Sequence, residues 1–177
     1  LRQIEEDLRN FGLESKKKYP EVIDATERAL GTLKMMREMY VADKMRKTGL
    51  EKEDVKIPQS SDILSPYLLA CNYVDANPKL ILMALSGIQM VVNYEVAPLS
   101  DIKSVLRIFE KQASTGTPEL QRKILQILLQ LVTLASRTKE DFQQYFNEAV
   151  IKQFLSMTLS MCDENKGSLS VSSTALA

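Results

Sequence analysis

The feature that most constrains this chain is a helical pattern that occurs three times and begins each time with a proline. Pro20, Pro78 and Pro118 suit a first helical position, because the N–H that proline lacks would have no partner there. When the three stretches are aligned on these prolines, the residues two, nine, ten and thirteen places later keep one apolar stripe in phase. These residues are Val22, Leu80 and Leu120; Ala29, Gly87 and Ile127; Leu30, Ile88 and Leu128; and Leu33, Val91 and Leu131. The pattern predicts three helices that each bury the same face.

The spacing of this pattern predicts the fold class. Pro78 and Pro118 are 40 residues apart, and a helical pair repeating at about 40 residues is typical of HEAT and armadillo arrays. We predict an all-α, armadillo/HEAT-like array of roughly six to eight antiparallel helices that form a curved slab. The stretch 78–94, apolar on nearly every side, is then a middle layer that packs on a helix at 62–73 and on the Pro20 and Pro118 helices. Gly87 would let a neighbouring element approach closely.

Further helices and one insertion complete the predicted organisation. The second helix is expected to run to about Lys44, and residues 45–61 then lose the apolar period, which predicts a mobile charged insertion. We expect a single domain over residues 1–177, excised from the N-terminal part of a larger protein. The other helical segments are 1–16, 62–73, 100–113 and 139–162, the last broken near Asn147. The expected N-cap residues are Ser61 or Asp62, Asn77, Ser100 and Thr117.

Composition excludes several classes of function. The 23 basic and 23 acidic residues give no net charge, whereas nucleic-acid binders carry a basic stripe. The chain has no histidine, so Ser-His and Cys-His nucleophile pairs and histidine metal sites are excluded. Its six glycines are scattered and form no phosphate loop, and no apolar run approaches the 20 or so residues of a membrane span. We therefore predict a protein that is not an enzyme, without catalytic residues, cofactor or metal, in a reducing, cytoplasmic compartment.

Four local features have ordinary structural explanations. Lys16–Lys18 are best interpreted as a solvated helix end, since a lipid site usually needs four or more basic residues. Cys71 stands on an apolar face and is predicted to be a core residue. The spacing of residues 163–167 departs from a calcium loop and favours a helix cap at Gly167. The acidic residues Glu5–Asp7 are interpreted as solvated charges that complement a helix dipole.

The best candidates for partner binding are aromatic. Tyr67, Tyr73 and Tyr94 cluster near the ends of the predicted middle layer, and tyrosine favours interfaces because it combines apolar area with a polar tip. Lys79 is the cation near the start of the same helix, where the dipole disfavours positive charge. We predict that Tyr73, Lys79 and Tyr94 bind a partner protein.

Specific stretches resemble a known family. "LESKKKYPEVIDATERAL" (13–30), "SPYLLACNYVDANPKLILMALSGIQMVV" (65–92) and the terminal "STALA" resemble the DCB domain, named for dimerisation and cyclophilin binding, of the large Golgi Arf guanine-nucleotide exchange factors. The similarity is greatest to the Mon-two branch, which lacks the exchange domain.

The resemblance implies a trafficking role. A module of this kind is expected to self-associate or to associate with the domain that follows it, and to bind an Arf-like small GTPase loaded with GTP. The full-length protein is expected to have a Dopey-family partner and to lie peripherally on trans-Golgi and endosome membranes.

The alternative is a generic armadillo-type adaptor that binds an extended peptide in a concave groove. Such adaptors commonly line the groove with asparagines at matching repeat positions. Asn93 has no counterpart 40 residues later, where Thr133 stands, so the pattern favours the trafficking module.

Overall fold

The structure is a computed structural model that describes residues 1–15, 18–47, 56–115, 117–137 and 139–164. Over these ranges the chain forms α-helices and two short 3₁₀ turns, and it contains no strand. The predicted all-α, armadillo/HEAT-like class is confirmed. The helices are α1 (Arg2–Ser15), α2 (Pro20–Lys47), α3 (Ser65–Asn72), α4 (Pro78–Asn93), α5 (Ile102–Thr115), α6 (Pro118–Ala135), α7 (Lys139–Tyr145) and α8 (Glu148–Glu164).

The chain forms two compact units, Leu1–Pro98 and Leu99–Ala177. In the first unit, α1 packs on α2 and α4, and α3 packs on α2 and α4. In the second unit, α5 packs on α6 and α8, and α6 also contacts α7 and α8. Packing between α4 and the Pro118 helix would join the two units and stays a prediction.

The three proline-opened helices begin where the sequence predicts. Asn77 accepts a hydrogen bond at its side-chain oxygen from the backbone N–H of Lys79, at 3.0 Å, and so caps α4. Thr117 caps α6 in the same way through the N–H of Leu120. Of the twelve stripe residues, all are buried except Leu30, which is half-buried. The shared phase of the apolar stripe is therefore confirmed.

One predicted neighbour of the middle layer is wrong. The helix α4 packs on α3, as expected, but its other main contact is α1 rather than the Pro20 helix. The ends of α1 lie against opposite ends of α4, because Glu14 meets Lys79 and Gln3 meets Tyr94. The two helices therefore run antiparallel. The repeat spacing does not predict this contact, because it joins residues that are far apart in the sequence.

Several element boundaries differ from the predictions. The second helix continues to Lys47, three residues beyond its predicted end, so the expected insertion begins inside a helix. Its centre, residues 48–55, and Gly167 with the terminal "STALA" lie outside the described residues. Where Ser61 or Asp62 was expected to be the N-cap, the N-cap residue is Ser60. It caps a 3₁₀ turn instead of an α-helix. Ser100 lies within the second 3₁₀ turn, before α5 begins.

The break near Asn147 is confirmed. Between α7 and α8, the side-chain oxygen of Asn147 accepts a hydrogen bond from the N–H of Val150 at 3.1 Å. An asparagine in this position satisfies one of the unpaired donors at the start of a helix.

The first unit has its core around Tyr67. This side chain is fully buried, lies 4.9 Å from the ring of Phe11, and covers Gly87 of α4. Cys71 is also fully buried, as predicted. The close approach expected at Gly87 is confirmed, and the neighbour is the aromatic ring of the partner helix α3.

Candidate protein-interaction surface

The turn between α3 and α4 is held by Tyr19, which precedes α2. Its hydroxyl donates a hydrogen bond to the carbonyl of Asp75 and accepts one from the N–H of Asn77, both at 3.2 Å. The rings of Tyr19 and Tyr73 also meet edge to face, with centroids 5.1 Å apart. Because both hydroxyl bonds go to backbone groups, the path of this turn is fixed by the α1–α2 connection.

Tyr73 lies at the end of α3 and is half-buried. Its hydroxyl donates a hydrogen bond to Glu21 at 3.3 Å. Loss of solvent around the hydroxyl and the nearby Glu21 carboxylate raise the pKa of Tyr73 above its ordinary value. The phenol therefore keeps its proton, and its hydrogen bond to Glu21, to a higher pH than an ordinary tyrosine.

An exposed aliphatic side chain adjoins Tyr73. Val74 is 91% exposed, and a shallow hollow of about 240 Å³ beside it is lined by Glu21, Leu69, Asn72, Tyr73 and Val74. We call these five residues the turn surface. An aromatic ring, an aliphatic side chain and a flanking carboxylate are the ingredients of a small protein-binding patch.

Lys79 lies in the first turn of α4 and pairs with a different helix. Its Nζ atom is 2.9 Å from a carboxylate oxygen of Glu14, at the end of α1. This partner explains how a cation is accommodated at the positive end of a helix dipole. Both side chains are substantially exposed, so the pair contributes at most about 1 kcal/mol to stability.

Tyr94 lies at the opposite end of α4. The N–H groups of Glu95 and Val96 donate to the carbonyls of Val92 and Val91, which closes the helix in a Schellman motif. Tyr94 is 37% exposed, and its hydroxyl donates to the side-chain carbonyl of Gln3 in α1. The ring is thus held by α1 while one side of it faces solvent.

The structure does not bring the three predicted binding residues into one cluster. Tyr73, at the end of α3, and Lys79 lie near the N-terminal end of α4, whereas Tyr94 follows its C-terminal end, about 22 Å from Lys79 along the helix axis. What the three share is a polar partner on α1 or α2. One partner protein would have to span the length of α4 to contact all three.

Two sequence interpretations in this region need correction. Tyr67, grouped with the exposed tyrosines by its position, is fully buried and cannot contact a partner. Asp7, interpreted as a solvated charge, accepts the hydrogen bond of the Tyr67 hydroxyl at 2.6 Å. Val74, the valine in "NYVDANP", is the residue that the sequence analysis missed. The one feature that could have indicated it is an aliphatic residue in an otherwise polar turn.

Neither a metal site nor a membrane span is found in the part of the chain that the structure describes. No three His, Cys, Asp or Glu side chains there are grouped so that they could hold a metal ion. No helix there is both long enough and apolar enough to cross a bilayer.

Comparison with known proteins identifies the family. The DCB model, described as the Mon2/Sec7/BIG1-like dimerisation and cyclophilin-binding domain, matches residues 1–176. The chain belongs to this DCB family. The resemblance inferred from the sequence is therefore confirmed.

Two curated relatives of this DCB domain share the name Protein MON2 homolog. The Homo sapiens protein is 28% identical over 133 residues and the Xenopus laevis protein 26% identical over 136 residues. Each alignment covers 75% of this chain, but only 7% of the relative. No solved structure gave a significant match.

Proposed function

We propose that this DCB domain is a non-catalytic interaction and self-association module of a Golgi and endosomal trafficking scaffold, and that it binds an Arf-like small GTPase in its GTP state. The observation that carries the proposal is the family match over residues 1–176. In the full-length protein, the module associates with itself or with the following domain, and a Dopey-family protein is a further partner. The scaffold lies peripherally on the membrane through these partners.

The turn surface supports protein binding at the N-terminal end of α4. Tyr73 is half-buried and held in place by Tyr19 and Glu21, while Val74 is almost fully exposed. A pre-positioned aromatic ring loses little side-chain entropy on binding, and a few such anchors usually dominate interface energy. Lys79 lies a few residues further along the chain, and its exposed ammonium can exchange Glu14 for an acidic partner.

The test is calorimetric titration of the 177-residue chain with Arf-like GTPases locked in the GTP or GDP state. Val74→Asp should weaken GTP-state binding at least tenfold, which corresponds to about 1.4 kcal/mol, because it places a charge within an apolar contact. Leu129→Asp is the matched control, since Leu129 is another exposed aliphatic residue and lies in the other unit. Circular dichroism shows whether each variant is folded.

A second variant tests whether both ends of α4 contact the GTPase. Lys79→Ala combined with Tyr94→Ala should also weaken binding at least tenfold, about 1.4 kcal/mol. The fold should survive, because each substitution removes only one exposed contact to α1. Wild-type affinity in the folded double variant, with a loss in Val74→Asp, confines docking to the turn surface.

Two results would contradict the proposal. Wild-type affinity in both folded variants places the docking face elsewhere, with the exposed faces of α1 and α5 as the next candidates. Absence of binding to any Arf-like GTPase in either nucleotide state removes the GTPase from the proposed function and leaves the scaffold role.

A further inference from the structure

The C-terminal part of α2 exposes apolar side chains. From Arg37 to Arg46 every residue is exposed except Tyr40, which is half-buried. The buried face of the helix ends with Leu33 and Met36, which belong to the core of the first unit. The last turns of α2 therefore present their side chains mainly to solvent.

The apolar residues of this segment form a stripe. Met35 and Met39 are each 58% exposed, Met45 is 73% exposed, and Ala42 lies between them. Spacings of four, three and three residues place their side chains along one side of a helix. At 100° per residue, this side lies roughly opposite to the buried face of α2. We call Met35, Glu38, Met39, Ala42, Met45 and Arg46, which is also exposed on this side, the outer face.

A hollow that suits another helix borders the outer face and shares Glu38, Ala42 and Met45 with it. It has a volume of about 350 Å³ and is lined by Arg37, Glu38, Val41, Ala42 and Met45. Four of these, at 38, 41, 42 and 45, have the i, i+3, i+4, i+7 spacing of the holes that receive side chains in helix-into-helix packing. The small side chain of Ala42 lets a facing helix approach closely.

The charges along the outer face specify the orientation of that helix. Glu38 and Arg46 lie four residues to either side of Ala42. If two copies of α2 cross antiparallel at Ala42, each Glu38 comes within reach of the long side chain of the second copy's Arg46, and Met39 faces the second copy's Met45. A parallel arrangement would instead place like charges at the same level.

We propose that the outer face of α2 is a self-association surface, on which a second copy of this chain packs antiparallel with the two-fold axis near Ala42. The inference rests on the self-association in the proposed function and assigns it to a surface. A two-fold interface uses the same patch on both copies, which fits a face on which Glu38 and Arg46 are equidistant from Ala42. The contact is small, so the dimer is expected to be weak and concentration-dependent.

Charge exchange on the 177-residue chain tests this arrangement by sedimentation at rising concentration. Glu38→Arg and Arg46→Glu should each weaken self-association about tenfold or more, because each puts two like-charged pairs across the axis. The double variant should restore it to within about threefold of wild type, and an equimolar mixture of the two single variants should form a heterodimer of similar affinity. Lys44→Glu is the matched control, since Lys44 is exposed and points about 200° away from Arg46; it should leave self-association unchanged.

The outcomes separate this surface from the proposed function. A wild-type chain that self-associates, with single variants that do so equally well, overturns the outer face but leaves the self-association module. A wild-type chain that stays strictly monomeric up to about 1 mM overturns both. Single variants that dimerise normally but lose GTPase binding would assign the outer face to that partner instead of a second copy.

Discussion

A Cβ atom placed on Gly87 would lie 2.2 Å from the Cε1 atom of Tyr67. Real Cβ atoms essentially never come within 3.0 Å of another heavy atom, so a side chain at position 87 requires the ring to move. The ring has little freedom to do so, because it packs on Phe11 and its hydroxyl is bonded to Asp7. The absence of a side chain at Gly87 is therefore what allows α3 and α4 to pack at this distance.

Gly87→Ala should destabilise the first unit by about 1–3 kcal/mol, the usual range for overpacking, and Gly87→Leu by more. The helix propensity of alanine, about 1 kcal/mol better than that of glycine, offsets part of the effect. The measurement is the free energy of unfolding from urea denaturation followed by circular dichroism. An unchanged midpoint in Gly87→Ala would show that Tyr67 can move aside at no cost.

Gly31 provides the matched control for this substitution. It is exposed within α2, and a Cβ atom there would have no neighbour within 4 Å. Gly31→Ala should therefore gain most of the difference in helix propensity between alanine and glycine, and stabilise the chain by about 0.5–1 kcal/mol. Opposite signs for the two Gly→Ala substitutions would separate the packing effect from the propensity effect.

The fold was predictable from the sequence wherever the signal is local. The starts of α2, α4 and α6 follow from proline and, at the latter two, a preceding cap residue, and their buried residues follow from the apolar period. The antiparallel pairing of α1 with α4 was not predictable, because it depends on contacts between residues far apart in sequence, such as Glu14 with Lys79. The spacing of apolar residues shows that a face is buried without showing which helix covers it.

The candidate site was predictable only in part, for a similar reason. Tyrosine packs equally well in a core with a polar partner or at a surface, so composition does not separate Tyr67 from Tyr73 and Tyr94. The difference arises from tertiary neighbours, since Phe11 and Asp7 enclose Tyr67. Val74 was missed because an isolated aliphatic residue in a turn gives no periodic signal.

The hydroxyl of Tyr67 should make stability depend on alkaline pH. Burial, the charge of the Asp7 carboxylate and its hydrogen bond raise the pKa of Tyr67 far above its ordinary value near 10. The folded chain therefore keeps the proton when the unfolded chain loses it. The stabilisation is complete below pH 10 and falls by about 1.4 kcal/mol for each pH unit above it.

Tyr67→Phe tests this dependence while retaining the ring. At pH 8 the variant should be about 1–2 kcal/mol less stable than wild type, because it loses a hydrogen bond to a charged group while half-buried Asp7 can recover water. The difference should shrink between pH 10 and 11, as only wild type has Tyr67 to ionise on unfolding. Urea denaturation of both proteins at pH 8, 10 and 11 measures it, and the remaining tyrosines cancel in the comparison. A difference that stays constant with pH would show that the hydroxyl ionises as readily in the folded chain as in the unfolded one.

The C-terminal end of α4 offers a stabilising substitution. Glu95 has a φ of 55°, in the left-handed region that favours glycine, and its N–H donates to the carbonyl of Val92. A residue other than glycine in the left-handed conformation lowers the stability of the folded chain by about 1–2 kcal/mol. Glycine avoids this strain but lowers stability by about 0.5–1 kcal/mol, because it gives the unfolded chain more conformational freedom. Glu95→Gly should therefore raise the free energy of unfolding by about 0.5–1 kcal/mol. Glu27→Gly, the same change at an exposed position inside α2, should lower it by about 1 kcal/mol. Thermal and urea denaturation of both variants decide the matter, and a loss of stability in Glu95→Gly would mean that the Glu95 side chain contributes more than its backbone conformation costs.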